Sequence, residues 1–447
     1  MRGLTAKNDS MCSFNHKQQR TDRSSLSYNR DVYSHLSQKL HFPATPSIFT
    51  LEITSSCNHN CPGCGNVFPH QKKHLEYKTW NKIIEKVGPY AAGFRITGGE
   101  CTLHPEFHRI IETIDSLDVP FVIFSNGDWE EPDKVITLIS ECKNCDGILI
   151  SLHGHNRQSY FEFVNTDRFD GVVSNIQKSV AAGIRFAINT VLTKTNVQSI
   201  HQIIDLGKSL GVFSIAFSRY YGNNLPDREL SPVEFRNIFH YILKLHRKDK
   251  SIVFNNCIPA CFDESSFSMK GCTSGITHCT IGPDGMARPC THAPIKLGNI
   301  LNTPIEEIWK SDALKFWNSL IPKDCLDCPE LTNCRGGCRA TAYHKNLPKD
   351  PFIYCGTVKN HAKINTDEKL YLNKNDRLKK NYKLKSHPSG YYLINRSRYV
   401  NVTNDAKPIL DFLDSTPEIL KINEEFGTEG LNFVGMLIIK GLILLEK

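Results

Sequence analysis

Short apolar runs alternate with longer amphipathic stretches from Pro46 to about Ser231. The runs are rich in β-branched and aromatic residues, whereas the stretches between them repeat apolar residues with a helical period. Six such units predict parallel strands joined by helices, and therefore an α/β fold built as a doubly wound sheet or a partial barrel. The predicted strands end at Thr54, Thr97, Ser125, Ser151, Thr190 and Ser218, and the predicted helices span residues 77–87, 105–114, 132–139, 172–182 and 197–210.

The first predicted strand leads into a loop that carries Cys57, Cys61 and Cys64. Three thiolates at this spacing can bind three irons of a [4Fe–4S] cluster and leave the fourth iron open to another ligand. Zinc is the alternative, but a structural zinc site takes four protein ligands, and no fourth Cys or His stands at a natural spacing here, although His59 lies inside the loop. Because ligand sites gather at the carboxyl ends of parallel strands, we expect the loop on the functional face.

The second predicted strand ends in Gly98-Gly99-Glu100, where the glycines allow close approach to the backbone and the carboxylate can accept an ammonium group. With the cysteine loop, this turn resembles the radical S-adenosylmethionine (radical SAM) enzymes over about residues 49–218. The resemblance implies a partial (β/α)6 barrel in which the three cysteines hold a [4Fe–4S] cluster. It also implies that S-adenosylmethionine chelates the open iron, that the Gly-Gly-Glu turn contacts its amine, and that a 5′-deoxyadenosyl radical abstracts a hydrogen atom.

Further strand ends match positions that contact the nucleoside in this family. The resemblance assigns that role to Ser125, Asn126, Ser151 and Asn189, although each is also an ordinary polar residue at the end of a strand. Two departures from the family pattern are Gly63, where many members have an aromatic residue, and Cys101, where proline often follows the glutamate. No general base is identified; residues on or near the predicted cavity are Glu52, His153, Tyr220 and Tyr221.

A second group of cysteines begins at Cys272 and resembles the SPASM extension of radical SAM enzymes. The resemblance implies two auxiliary [4Fe–4S] clusters, for a total of three, and eight thiolates are the right number to close two of them. A pair of four-cysteine zinc sites is the alternative. The implied ligands are Cys272, Cys279, Cys290 and Cys338 for one cluster and Cys325, Cys328, Cys334 and Cys355 for the other. Cys12, Cys101, Cys142 and Cys145 receive no role, and Cys257 or Cys261 is either a core thiol or a replacement for one of these ligands.

The rest of the chain divides by composition. We predict that residues 1–45 form a flexible extension with a short helix near 32–40. The barrel is predicted over 46–235, followed by a bridging region over 236–271. The SPASM domain is predicted over 272–360 and a linker over 361–389. Residues 390–447 predict the order strand, helix, helix, helix, strand, at 391–394, 404–413, 417–426, 431–440 and 442–445. This order resembles the winged-helix domains that bind leader peptides in ribosomal-peptide maturation. A DNA-binding winged helix is the rival, although the third helix has few basic residues to meet phosphates.

Composition sets the remaining expectations. The net charge of +8 is spread along the chain, which argues against nucleic acid, and no apolar run approaches a membrane span. Seventeen cysteines without a signal peptide indicate cluster ligation in a reducing cytoplasm. We therefore expect a radical SAM/SPASM enzyme that modifies a peptide or protein, most simply by thioether or carbon–carbon crosslinking, with flavodoxin or ferredoxin as electron donor. The alternatives are sulfatase-maturase-like oxidation of a protein Ser or Cys, modification of a small molecule or cofactor precursor, and a non-catalytic electron carrier.

Overall fold

The computed structural model describes residues 30–40, 42–68, 74–221, 226–262, 271–353, 375–396, 398–415 and 417–446. The strands are β1 Ile48–Glu52, β2 Gly93–Thr97, β3 Phe121–Ser125, β4 Cys145–Ser151, β5 Phe186–Val191, β6 Ser214–Ser218, β7 Ile252–Phe254, β8 His278–Ile281, β9 Met286–Arg288, β10 Gly298–Asn299, β11 Arg377–Lys380, β12 Lys383–His387, β13 Gly390–Asn395, β14 Arg398–Val402 and β15 Ile443–Glu446. The helices are α1 Arg30–Lys39, α2 Tyr77–Val87, α3 Phe107–Asp115, α4 Pro132–Glu141, α5 Arg157–Val164, α6 Phe169–Ala181, α7 Ile200–Ser209, α8 Pro232–Lys248, α9 Ile305–Ile308, α10 Asp312–Ser319, α11 Leu331–Cys334, α12 Arg339–His344, α13 Lys407–Leu413 and α14 Ile419–Ile439.

Ten strands form one open sheet in the order β10-β9-β8-β1-β2-β3-β4-β5-β6-β7. From β1 to β7 the strands pair in chain order and in parallel. A doubly wound sheet reverses its order at a switch point, and this run of seven strands does not, so successive crossovers wind one way as in a barrel. The fold is therefore a partial barrel with the functional strand ends at one mouth, as predicted.

The barrel elements lie close to their predicted positions. Strands β2, β3, β4 and β6 end at the predicted residues, whereas β1 ends two residues before Thr54 and β5 one residue after Thr190. Helix α3 begins at Phe107 rather than residue 105, and residues 197–199 form a 3-10 turn before α7. The prediction missed α5. The helix-facing side of the sheet forms the main core, in which Phe49, Leu51 and Ile53 are buried with Trp80 and Ile83.

The SPASM region continues the barrel sheet instead of forming a separate layer. Strand β8 pairs in parallel with β1, and β9 and β10 extend the sheet antiparallel beyond it. The predicted boundary between residues 235 and 236 also falls inside helix α8, which runs through the junction. Both observations correct the predicted domain division, because the hydrogen-bonded sheet and helix bind these segments into one unit.

The N-terminal segment needs a similar correction. Helix α1 and the residues after it belong to the predicted flexible extension, yet Leu36 and Leu40 are buried against Ile321 and Leu331. Lys39 Nζ donates to Leu326 O at 2.8 Å, which also ties the helix to the SPASM region. The structured chain thus begins by residue 30. The earlier part of the extension, including Cys12, lies outside the described residues.

The C-terminal unit contains a three-stranded sheet, β12-β13-β14, and a two-stranded sheet, β11-β15. The predicted order strand, helix, helix, helix, strand is present, with the second and third helices joined in α14 at a kink at Gly427. Strands β11 and β12 lie in the segment predicted as a linker, which corrects that boundary, and β14 was also missed. The specific winged-helix assignment stays a prediction.

This unit docks on the barrel at the end opposite the functional mouth. Lys385 Nζ donates to Gly88 O at 2.8 Å and to Ala91 O at 2.7 Å, just before β2 begins. Tyr392 Oη donates to Tyr90 O at 3.0 Å. The contacted residues precede barrel strands, so the C-terminal unit covers the floor of the barrel. Within the described ranges, no helix has the length and apolar character needed to cross a bilayer.

Candidate functional site

The three cysteines of the loop after β1 lie together at the mouth of the barrel. Cys64 N donates to Cys61 O at 3.1 Å, which closes a tight turn. Burial raises the pKa of Cys57 to about 11 and that of Cys61 to about 12, and the neighbouring thiols add to both shifts. The His59 ring lies beside a carboxylate, with its Nε2 atom 3.3 Å from Asp128 Oδ2. The loop therefore presents three thiols as one group, without a histidine among them.

Gly98 and Gly99 pack against the backbone that leads into this loop. A Cβ atom on Gly98 would lie 2.4 Å from Thr54 O, and one on Gly99 would lie 2.1 Å from Ser56 O. Gly99 N and Glu100 N donate to Thr54 O and Ser56 O at 2.8 and 2.7 Å. The two glycines thus let the end of β2 bind the end of β1, which fixes the cysteine loop beside the Gly-Gly-Glu turn.

Glu100 is 1% exposed and its carboxylate is fully engaged by the chain. Oε1 accepts from Ser125 Oγ and Thr102 Oγ1, both at 2.8 Å, and Oε2 accepts from Asn126 N at 2.7 Å. Burial raises the pKa of Glu100, and the bonds from Asn126, Ser125 and Thr102 oppose that rise because they favour the carboxylate. Glu100 therefore joins the ends of β2 and β3 beneath the site.

Ser125 and Asn126 have different surroundings. Ser125 is 5% exposed and, besides donating to Glu100, accepts from Gly127 N and Trp129 Nε1 at 3.0 and 2.8 Å. Asn126 Nδ2 donates to Asn58 Oδ1 at 2.7 Å and lies 4.0 Å from Cys57 Sγ. Ser125 is thus buried and connects Glu100 to Gly127 and Trp129, whereas the side chain of Asn126 reaches the cysteine loop itself.

Ser151 and Asn189 are register partners on β4 and β5, so their side chains lie next to each other on one face of the sheet. Ser218, at the end of β6, donates to Asn189 Oδ1. Both Ser151 and Asn189 are half-buried. The structure therefore brings together three polar strand ends on the side of the barrel across from the cysteine loop, and a nucleoside contact there stays a prediction.

Two residues near the predicted cavity are occupied by structural contacts. Glu52 forms a buried ion pair with Arg288, and burial raises the pKa of Glu52 to about 7 in spite of that partner. Burial lowers the pKa of His153 to about 3, and its Nδ1 atom accepts from Val191 N at 3.2 Å. At neutral pH the His153 ring is therefore uncharged and holds the backbone of β5.

Four thiols meet beside the end of β6, and one of them is not a predicted ligand. The thiol of Cys257 hydrogen-bonds with both Cys272 and Cys338, and the charges of these two residues also act on Cys290. We call Cys257, Cys272, Cys290 and Cys338 the first auxiliary set. The hydrogen bond from Cys257, with Arg339 beside it, lowers the pKa of Cys272 although burial opposes this.

Cys279 lies apart from this group, so Cys257 takes its place in the ligand set that we propose. Cys279 lies on β8 opposite Phe49, fully buried in the main core, and its thiol is 3.9 Å from Thr280 O. Burial raises the pKa of Cys279 to about 12, with Arg288 rather than another cysteine as its charged neighbour. In the sequence, polar His278 and Thr280 alternate with Cys279 and Ile281, which is the pattern of a strand with one apolar face. This alternation could have predicted that Cys279 faces the core.

A second group of thiols lies beside helix α1 and contains Cys261, Cys325, Cys328 and Cys334. The charges of Cys334, Cys261 and Cys328 all act on Cys325, and burial raises its pKa to about 12. Cys334 Sγ accepts from Ala260 N at 3.3 Å, which draws the segment of Cys261 to this group. We call these four residues the second auxiliary set. Cys355, the predicted fourth ligand, lies outside the described residues, so its role as a ligand beside these thiols stays a prediction.

A stacked pair of rings links the cysteine loop to the first auxiliary set. His292 Nδ1 donates to Gly65 O at 2.9 Å, one residue after Cys64. Its ring stacks on Tyr221 with centroids 4.4 Å apart and an interplanar angle of 19°. Burial raises the pKa of Tyr221 well above its usual value, and the nearby Cys257 and Cys338 act in the same direction. The His292 and Tyr221 side chains therefore join the two thiol groups at one end of the barrel.

These thiol groups suit iron–sulfur clusters in number and type. Three cysteines leave one iron of a [4Fe–4S] cluster open, and four close it. Within the described ranges, no group of three or more His, Cys, Asp or Glu side chains converges tightly enough for a single metal ion. The other cysteines bond to nearby oxygens instead: Cys101 Sγ lies 3.5 Å from Phe124 O, and Cys142 Sγ lies 3.3 Å from Leu138 O.

Two family models match the chain in the regions that hold these thiols. The model of the radical SAM superfamily matches residues 51–207, and that of the SPASM iron–sulfur cluster-binding domain matches residues 272–335. The first match contains the cysteine loop and the strand ends around it, and the second contains six of the later cysteines. Radical SAM domains bind S-adenosylmethionine and a [4Fe–4S] cluster, and SPASM domains bind auxiliary iron–sulfur clusters.

Alignments with similar proteins cover about two thirds of the chain. The AdoMet-dependent heme synthase of Methanosarcina barkeri is 25% identical over 334 residues, which cover 67% of this chain and 92% of that protein. The PqqA peptide cyclase of Gluconobacter oxydans is 24% identical over 323 residues, covering 67% and 87%. The structure of Streptococcus suis SuiB bound to its precursor peptide SuiA shares the fold, with a TM-score of 0.58, 17% identity and coverage of 71% and 77%. The chain is thus a radical SAM enzyme with a SPASM domain.

Proposed function

We propose that this enzyme modifies a peptide or protein substrate by radical chemistry in ribosomal-peptide maturation, most simply by forming a thioether or carbon–carbon crosslink. When bound, S-adenosylmethionine and the open cluster supply the 5′-deoxyadenosyl radical that abstracts a hydrogen atom from the substrate. The chain contributes the three-cysteine loop, the Gly-Gly-Glu turn that fixes it, and the polar strand ends that face it. The proposal assigns the open cluster to Cys57, Cys61 and Cys64 and two closed clusters to the auxiliary sets.

The observation that carries the crosslinking proposal is the short connection between the cysteine loop and the first auxiliary set. Gly65, His292 and Tyr221 join the two thiol groups through one hydrogen bond and one ring stack. A crosslink that forms after hydrogen abstraction releases one electron and one proton, so the reaction needs an electron acceptor near the substrate. Four thiolates leave no iron open to substrate, which suits the first auxiliary set to electron transfer.

Two further observations favour a peptide as substrate. The PqqA peptide cyclase acts on a peptide by its name, and SuiB was solved with its precursor peptide. In the C-terminal unit, β14 hydrogen-bonds to β13 along one edge, and among the described residues no strand pairs with its other edge. An extended leader peptide can add to such an edge through backbone hydrogen bonds.

A small molecule or cofactor precursor is the second candidate substrate. The relatives named AdoMet-dependent heme synthase favour it, because two thirds of this chain covers 92% of the Methanosarcina barkeri protein. Oxidation of a protein Ser or Cys, as in sulfatase maturation, is a third outcome that the same experiment detects. The peptide proposal differs from the small-molecule candidate in giving the C-terminal unit a role in substrate binding.

The test uses the purified, reconstituted full-length enzyme with each small peptide encoded beside its gene, S-adenosylmethionine and a reductant such as reduced flavodoxin. We expect 5′-deoxyadenosine and a peptide lighter by two hydrogens, which is the mass change of a crosslink. Cleavage of S-adenosylmethionine with every peptide unchanged in mass would overturn the peptide proposal. A loss of two hydrogens that converts one Ser side chain to an aldehyde would support the sulfatase-maturase alternative instead. For a Cys side chain, the same loss gives a thioaldehyde, which water hydrolyses to the aldehyde with release of hydrogen sulfide; fragment masses locate either change.

The matched control replaces Cys57, Cys61 and Cys64 together by Ala. An enzyme whose open cluster is held there loses deoxyadenosine production but keeps the iron of the auxiliary sets. If the wild-type protein itself made no deoxyadenosine with any reductant while its clusters were reducible, the chain would behave as an electron carrier.

A further inference from the structure

Three arginines are fully buried in the part of the chain that the structure describes, and one of them differs from the others. Arg219 makes two bonds of 2.9 Å to Asp350, and Arg288 pairs with Glu52. Arg339 is 1% exposed and forms no ion pair with any carboxylate of the described residues. A buried guanidinium without an anionic partner is unfavourable, because it has lost its hydration, and the Trp317 ring, whose centroid lies 5.7 Å from Arg339 Cζ, offsets only part of that cost.

The position of Arg339 indicates where that anion belongs. It follows Cys338 directly, and its Nη2 atom lies 3.8 Å from Cys272 Sγ. The same nitrogen donates to Ser274 O at 2.5 Å, and Ser274 Oγ is in turn held by Trp317 Nε1 at 2.9 Å. The Nε and Nη1 atoms are buried and have no acceptor among the described residues. The guanidinium is therefore fixed against the first auxiliary set with hydrogen-bonding capacity unused.

We infer that Arg339 is the counter-cation of the iron–sulfur cluster held by Cys257, Cys272, Cys290 and Cys338. Four thiolates around a [4Fe–4S] core carry net negative charge, and the cluster and thiolate sulfurs accept hydrogen bonds. The inference rests on the ligand set proposed above. It explains why a buried charge is retained here without a carboxylate partner.

A fixed positive charge also changes the reduction potential of such a cluster. Reduction adds one electron and makes the cluster more negative, so a buried cation beside it favours the reduced form and raises the potential. At the second auxiliary set the charge of Asp324 acts on Cys325, but that carboxylate is exposed and lies 3.4 Å from Lys349 Nζ. Arg339 therefore makes the first auxiliary site a better electron acceptor than it would be without this charge.

The first test measures the potentials of all clusters in the reconstituted enzyme by a redox titration followed by EPR. Arg339→Gln removes the charge, and Arg339→Lys keeps it as the matched control. We expect Arg339→Gln to shift the potential of the first auxiliary cluster to a more negative value and to leave the other two in place. Arg339→Lys should stay near wild type. An unchanged potential in Arg339→Gln with full iron content would overturn the inference.

A second measurement covers the case in which Arg339→Gln fails to hold its cluster. Arg339→Met removes the unpaired charge, so we expect it to raise the unfolding temperature of the cluster-free protein and to lower that of the loaded protein. A change of the same sign in both forms would contradict the counter-cation role. Neither measurement uses a substrate, so both outcomes are independent of the peptide proposal.

Discussion

The three-cysteine loop and the first auxiliary set are joined by the His292–Tyr221 stack, yet their surroundings differ in charge. Beside the loop lies the buried carboxylate of Glu100, whose charge adds to the rise in the pKa of Cys57 that burial causes. Beside the first auxiliary set lies Arg339, which helps to lower the pKa of Cys272. The loop is thus prepared for a partner that brings positive charge, such as the sulfonium and amine of S-adenosylmethionine. The closed set is prepared for an anionic cluster alone.

In these two sites the number of thiols and the sign of the nearest buried charge differ together. An open site needs one ligand fewer and must attract a cationic cofactor. A closed site needs all its ligands and must stabilise the negative charge that they bring. Three substitutions can break this comparison, and they are given from the largest expected effect to the smallest.

The largest effect is expected when Cys257 is replaced. Cys257→Ala removes a ligand of the closed set, so the reconstituted protein should lose about four irons, the content of one [4Fe–4S] cluster. Cys279→Ala is the matched control, because it removes a buried thiol of the core and should keep full iron at a stability cost of about 1 kcal/mol. Iron and sulfide assays with Mössbauer spectra measure the difference. Full iron in Cys257→Ala and a lost cluster in Cys279→Ala would restore the ligand set predicted from the sequence.

The second-largest effect is expected when Gly99, which packs against the backbone of the cysteine loop, is replaced. Gly99→Ala places a Cβ atom 2.1 Å from Ser56 O, so the cysteine loop must move away from the Gly-Gly-Glu turn. We expect the free energy of unfolding to fall by about 3 kcal/mol, and S-adenosylmethionine cleavage to be lost. Gly171→Ala in α6 is the control, since its Cβ meets nothing within 4 Å and should be neutral or stabilising. Cleavage at the wild-type rate in Gly99→Ala would show that the loop does not depend on this contact.

The smallest effect is expected at Glu100. Glu100→Gln keeps the shape of the side chain but replaces one acceptor oxygen by a donor that faces Asn126 N or Ser125 Oγ. A mismatched buried pair costs about 1–3 kcal/mol, so we expect S-adenosylmethionine to bind about 10- to 100-fold more weakly while the auxiliary iron is unchanged. Calorimetric titration of the cofactor checks this. Wild-type affinity would remove Glu100 from the charge comparison.

The sequence predicted the barrel well because its strands carry their signal locally. Phe121–Ser125 and Ser214–Ser218 are short apolar runs that end in a polar residue, and the structure has the same bounds. Strands β11 and β12 were missed because RLKK and KLKSH are rich in lysine. Lysine is frequent on exposed sheet edges, where composition resembles that of a linker.

In the candidate site, too, residues close together in the sequence were predicted well, and those brought together only by folding were not. Cys57, Cys61 and Cys64 lie on one short loop, so their spacing alone predicts that they act together. The first auxiliary set draws its thiols from segments far apart in the sequence, and spacing could not decide between Cys257 and Cys279. The choice depends on two features of the folded chain. Cys279 lies on the core-facing side of β8, and the segment before Pro259 folds back so that Cys257 meets the other thiols. Arg339 gave no signal, because its lack of a partner exists only in the folded chain.

The docking of the C-terminal unit on the barrel floor sets a minimum length for any substrate that uses it. Tyr399 Oη bonds to Ser47 Oγ at 2.7 Å, at the amino end of β1, whereas the cysteine loop begins past the other end of that strand. A strand of five residues spans about 17 Å. A peptide anchored at β14 must run along the outside of the barrel before it enters the mouth, and each extended residue covers about 3.3 Å. For a peptide bound at β14 as proposed, the residue to be modified would therefore lie several positions away from the segment that is recognised.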